Sequence, residues 1–156
     1  MNEARRNSAC AVFQGDVYVS GGWADDEENL LNSVEMYDHE LDRWSAMPRM
    51  IVGRYFHCLI ATRSKMFAIG CDTEIVEAFD KCSNKFVRVK PMPPSFFDPS
   101  SGLYHAVSMG NKIRIFQGRS ELTATYDVDE DSWSVEGFNA GKNFRCNTLL
   151  KIPKIL

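Results

Sequence analysis

Paired cysteines are missing from this sequence. The five cysteines, Cys10, Cys58, Cys71, Cys82 and Cys146, are odd in number and no two of them make a C-x-x-C. Zinc sites usually show ligands paired at short spacing, and secreted disulfide frameworks usually show an even count. There is no N-x-[ST] sequon, and the opening Met1-Asn2-Glu3-Ala4-Arg5-Arg6 is polar with no apolar segment after it, which is not the pattern of a secretory leader. No apolar run approaches the roughly 20 residues that span a bilayer. The expectation is an intracellular, cytoplasmic chain with reduced thiols. Basic excess is also missing: 18 Lys and Arg stand against 21 Asp and Glu, a formal charge of −3, so no basic face for nucleic acid is expected. Histidine is scarce, with His39, His57 and His105 scattered. His57 and His105 fall in expected strands and read as buried, hydrogen-bonded side chains. No G-x-S-x-G, glycine-rich phosphate loop or H-E-x-x-H occurs. Catalytic residues, metal ligands and cofactors are therefore not expected. Acidic runs such as Asp38-His39-Glu40 and Asp127 to Asp131 read as hairpin turns and not as paired catalytic carboxylates.

What is present is an ordinary globular composition, 44% hydrophobic and 25% charged over 156 residues, enough for a real core. It is organised as an internal repeat. The strand-like Gly15 to Ser20 closes on Gly21-Gly22. An acidic loop follows, then Ser33 to Tyr37, Asp38 and, seven residues beyond Tyr37, Trp44. The order recurs with Lys65 to Gly70, then Phe79-Asp80, then Phe86. It recurs again with Lys112 to Gly118, then Tyr126-Asp127, then Trp133. The aromatic-Asp pair thus appears three times, at intervals of 42 and 47 residues. Runs of alternating polarity split by Gly, Asn, Asp and Pro predict antiparallel strands, at Ala9 to Phe13, Asp16 to Ser20, Ser33 to Tyr37 and Arg43 to Met47 in the first copy. No helical stripe is evident. Four short strands in a repeat of nearly 50 residues describe one propeller blade.

The repeat resembles the kelch motif over nearly the whole chain. Gly21, Gly22, Tyr37 and Trp44 stand in place in the first copy. Gly70 with Phe79 and Phe86, and Gly118 with Tyr126 and Trp133, are the departing second and third copies. The implied fold is all-β: kelch-type blades of four antiparallel strands, three blades plus a C-terminal closing strand, a partial propeller. Repeat one is expected over about 1–49, repeat two over 50–92, repeat three over 93–137 and the closing strand over 138–156. A glycine pair at a strand end suits a sharp turn or a close backbone approach. Tyr37 and Trp44 are expected to fill the gap against the next blade, each burying roughly 150–250 Å².

In resembling proteins ligands meet the face made by the loops between blades and by the loops joining second and third strands. That places Arg5, Arg54, Tyr55 and Lys142 on a partner-binding rim, which would favour an acidic protein or peptide because guanidinium groups grip carboxylates in bidentate fashion. The long loop Trp23 to Asn32 adds Trp23, Asp25 and Asp26, an aromatic anchor beside charge. The alternative for Arg5 and Arg54 is pairing with acids on neighbouring blades. The blade junctions look most like the C-terminal half of a BTB-kelch protein. The resemblance implies a protein-protein interaction module, the substrate-recognition part of a cullin-based ubiquitin ligase adaptor, with cullin contacted only through a BTB part. Actin or a related filament is the alternative partner, and a propeller enzyme is a third reading without a supporting residue set. No membrane contact is expected. Three blades are few for a propeller, so self-association of open blade edges is a further expectation.

Overall fold

A computed structural model describes residues 1–24, 29–70, 73–100, 104–117 and 120–137. The expected closing strand, and with it Lys142, lies outside the described residues, as do Asp25, Asp26 and Gly118. Twelve strands form three four-stranded antiparallel sheets, each in simple sequence order. Blade 1 is β1 (Ala9–Phe13), β2 (Asp16–Ser20), β3 (Val34–Asp38) and β4 (Arg43–Met47). Blade 2 is β5 (Cys58–Ala61), β6 (Met66–Ile69), β7 (Val76–Asp80) and β8 (Lys85–Val89). Blade 3 is β9 (Tyr104–Met109), β10 (Lys112–Gln117), β11 (Leu122–Asp127) and β12 (Ser132–Gly137).

The seven-residue spacing of the aromatics has a direct structural cause. Tyr37 pairs with Trp44 across β3–β4, Phe79 with Phe86 across β7–β8, and Tyr126 with Trp133 across β11–β12. Their ring centroids lie 5.2, 5.4 and 4.9 Å apart, the tilted geometry that aromatic pairs favour. The intervening turn is the same each time. Its first Asp accepts backbone N–H bonds from within the turn: Asp38 from Glu40 and Leu41, Asp80 from Cys82 and Ser83, Asp127 from Asp129 and Glu130. Its last residue is left-handed, at Asp42 (φ 48°), Asn84 (φ 51°) and Asp131 (φ 45°), a conformation that Asn and Asp tolerate better than other side chains. The aromatic-Asp motif is thus a hairpin specification.

The blades pack face to face through two apolar clusters. Phe79 and Phe86 of blade 2 bury against Ala9, Phe13, Tyr18 and Val34 of blade 1. Tyr126 of blade 3 buries, with Trp133 beside it, against Phe67, Ile69, Val76 and Ala78 of blade 2. In blades 2 and 3 the aromatic pair therefore faces the preceding blade, and the blade 1 pair lies on the face turned away from blade 2, which corrects the expectation that Tyr37 and Trp44 fill the gap against the next one. In blade 1 that pair belongs to neither cluster and both rings are half-buried. The direction follows from the pleat. Tyr37 shares a face with Val17, its partner on β2, while Tyr18 and Met36 occupy the face toward blade 2.

Candidate functional site

The segments before β1 and β5 enter their blades in the same way. Arg5 Nη1 donates to the Gly21 carbonyl at 2.8 Å, and Arg54 Nη1 donates to the Gly70 carbonyl at 2.9 Å. A second pair of bonds runs to the carbonyls of Ser33 and Ile75, just ahead of each third strand. Each guanidinium then meets a carboxylate, Arg5 with Glu35 and Arg54 with Glu77, both at 2.9 Å. The two carboxylates complete the clasp by accepting backbone N–H bonds from Asn2 and Glu3, and from Ile51 and Val52. Burial alone would raise the Glu35 pKa; the Asn2 N–H and the Arg5 guanidinium outweigh it and hold the carboxyl below its usual range.

Both arginine side chains are fully buried. The expected basic rim of Arg5 and Arg54 is therefore corrected: these groups tie the entering chain to the second and third strands of their own blades and present no charge to a partner. The reason for an acidic partner goes with it. Sequence reasoning missed Glu35 and Glu77, although both stand two residues before the repeated aromatic, which was the available signal.

The clasp sets the junction of blades 1 and 2. Gly22 N–H donates to the Arg54 carbonyl at 2.7 Å. Gly21 (φ 60°) lies so close that an added Cβ would strike the Arg54 backbone and the His57 ring, which is why glycine stands there. His57 is buried, with Nε2 at 2.8 Å from Ser20 Oγ. Burial first, and the Arg54 charge second, push its pKa down to about 3, so the ring is neutral.

Over this junction lies an aromatic surface. Trp23 forms isolated β-bridges to Arg6 and Leu30, and the Trp23 N–H and carbonyl both bond Arg6, at 2.8 and 2.9 Å. The loop beyond it is closed by Ala24 N–H donating to the Asn29 carbonyl. The Trp23 ring meets the Tyr55 ring at 5.2 Å, and Tyr55 meets Phe56 at 5.6 Å. The structure thus brings the sequence candidates Trp23 and Tyr55 together and adds Phe56. Phe56 is 45% exposed and adopts φ 48°, a left-handed conformation rare for a bulky side chain. It is fastened there by its N–H bond to the Asn7 carbonyl at 3.0 Å. Asn7, two residues after Arg5 as Phe56 is after Arg54, adopts the same conformation (φ 56°), so the left-handed residue is a shared feature of the two blade entries, filled by an exposed aromatic ring in the second. Among the described residues no group of three or more His, Cys, Asp or Glu is placed to hold a metal, and no helix is long and apolar enough to cross a membrane.

A family model described as the kelch motif matches residues 4–51. The chain is 26% identical over 147 residues to Kelch repeat and BTB domain-containing protein 8 of Homo sapiens, covering 85% of this chain and 23% of that protein. It is 51% identical over 55 residues to F-box/kelch-repeat protein SKIP20 of Arabidopsis thaliana, covering 35% of this chain and 13% of that protein. In fold it is similar to the solved structure of YjhT, with a TM-score of 0.69 at 14% identity, over 89% of this chain and 54% of that one. The chain spans about a quarter of the length of the curated protein that it matches over most of its own residues. Repeated hairpin, glycine strand end and blade-to-blade aromatic pair agree with these likenesses: residues 4–51 carry a kelch motif, and the described residues fold into three four-stranded blades of a kelch-type propeller.

Proposed function

We propose that this chain holds a protein partner on the Trp23–Tyr55–Phe56 surface at the junction of blades 1 and 2. The observation that carries the reading is the exposed, left-handed Phe56 ring packed in series with Tyr55 and Trp23. Amphipathic aromatics on rigid supports supply large contact area at small entropic cost, and they dominate the energetics of protein interfaces. The surface is fixed from below by the buried Arg54 clasp, so little ordering remains to be done on binding.

The finer reading is that the partner is the substrate of a cullin-based ubiquitin ligase in the cytoplasm, the repeats serving as its recognition part. Relatives whose names join kelch repeats to either a BTB or an F-box part support it: the attached part differs while the repeats are shared, as suits a common holding role.

The test is a photo-crosslinking amino acid placed at position 56 and, as a control, at Leu41, which is 58% exposed in the β3–β4 turn at the opposite end of the blade. Discrete adducts from position 56 that disappear in Trp23→Ala support the reading. Adducts equally frequent from both positions, or from neither, contradict it.

A further inference from the structure

The guanidinium groups of Arg5 and Arg54, which would have made the aromatic surface positive, are withdrawn into the buried clasps. The charge left at its border is of the other sign. The loop after Trp23 departs at Ala24 and returns at Asn29, where the Ala24 N–H meets the Asn29 carbonyl at 3.1 Å and Trp23 bridges Leu30. Between those fixed ends the sequence reads Asp25-Asp26-Glu27-Glu28, outside the described residues. Each of the four is at most two residues from a fixed end, and consecutive Cα atoms are about 3.8 Å apart. Covalent connection alone therefore keeps four carboxylates close to Trp23. Two cations stand against them. Arg6 is exposed, paired to the Trp23 backbone and engaged in bonding of its own. Arg49 is tied to Asn32 at 3.1 Å. The border keeps a negative excess.

The rings point to the same chemistry by an independent route. Trp23 and Tyr55 are half-buried and Phe56 is 45% exposed, and the faces of aromatic rings attract cations, tryptophan most of all. Arginine and lysine side chains are long enough to use both features. Their apolar stems pack along rings while the charged head reaches toward carboxylates. Arginine adds a planar guanidinium that stacks on an aromatic face and grips a carboxylate in bidentate fashion. An acidic segment would meet like charge here, and juxtaposed like charges suppress binding of the wrong partner.

We propose that the segment held on the Trp23–Tyr55–Phe56 surface is basic, with an arginine or lysine of the partner lying over the rings and its charged end turned toward the Asp25–Glu28 run. The inference rests on the reading of this junction as a partner-binding surface and adds the chemistry of the partner. It reverses the charge that a rim of exposed arginines would have selected.

Fluorescence anisotropy with two labelled peptides tests it, one alternating glycine with arginine and the other glycine with glutamate. The arginine peptide is expected to bind and the glutamate peptide not to bind. Asp25→Asn with Asp26→Asn is expected to weaken the arginine peptide about fivefold or more, and Phe56→Ala about threefold or more. Asp129→Asn with Glu130→Gln removes the same charge from exposed residues of the β11–β12 turn and is expected to stay within twofold of the parent, which separates a local site from overall charge. Equal binding of the two peptides, equal loss in the two double variants, or an unaffected Phe56→Ala would overturn the proposal. Crosslinking from position 56 distinguishes it from the reading beneath it. Adducts that map to partner segments without arginine or lysine would overturn the basic segment and leave the surface standing, whereas no adducts would remove the surface and this inference with it.

Discussion

Arg54 and Glu77 form an ion pair at 2.9 Å with both side chains entirely removed from solvent, and Arg5 with Glu35 repeats it one blade earlier at the same distance. Buried charges persist only when paired and hydrogen-bonded, and removing one partner strands the other. Glu77→Ala is expected to cost about 3–5 kcal/mol, read as a lower denaturant midpoint at unchanged slope. Arg54→Met with Glu77→Leu should cost less than the sum of the single changes. It should not recover fully, because Arg54 also bonds the carbonyls of Gly70 and Ile75.

The buried His57 ties stability to pH. Its folded pKa of about 3 lies below the ordinary value of 6.5, so the unfolded chain binds this proton first. The stabilisation is complete above about pH 6.5 and is lost as pH falls below it, with a slope of up to about 1.4 kcal/mol per pH unit. Comparison with His57→Gln isolates the contribution of this ring. Melts between pH 6.5 and 5 should show a falling midpoint in the parent chain and a flatter one in His57→Gln.

Gly21→Ala is expected to destabilise the junction by 2 kcal/mol or more, since a Cβ at φ 60° would meet the Arg54 backbone. Gly110→Ala, also left-handed (φ 66°) but with no atom near the added Cβ, should cost only the conformational term, about 1 kcal/mol. Thermal unfolding of the two variants side by side measures the close approach apart from the backbone preference.

Much of the fold is legible in the residues, and for particular reasons. The expected strands at Ala9 to Phe13, Asp16 to Ser20 and Arg43 to Met47 coincide with β1, β2 and β4, because each is bounded by turn residues with few other uses. The aromatic spacing survives in all copies because a hairpin turn of fixed length sets it. Even its variation is coherent. Tyr37 and Tyr126 donate hydroxyl bonds to Asp42 and Asp131, whereas the second copy has Phe79 with Asn84.

The candidate site was less legible. Arg5 and Arg54 were placed correctly along the chain and wrongly in depth. Their acids lie 30 and 23 residues away, and strand alternation does not reach into the irregular segments that carry the arginines. Phe56 escaped notice because an aromatic residue gives no sequence signal for a left-handed backbone. The facing of Tyr37 and Trp44 was misjudged because alternation says which residues share a face but not which neighbour that face meets.

The most direct measurement is the affinity of the chain for a protein recovered by crosslinking at position 56, compared across three variants. Trp23→Ala and Phe56→Ala are each expected to weaken binding at least tenfold, as truncated interface aromatics do, while Leu41→Ala stays within twofold of the parent. Equal affinities for all three would contradict the assignment of the binding surface to the Trp23–Tyr55–Phe56 junction.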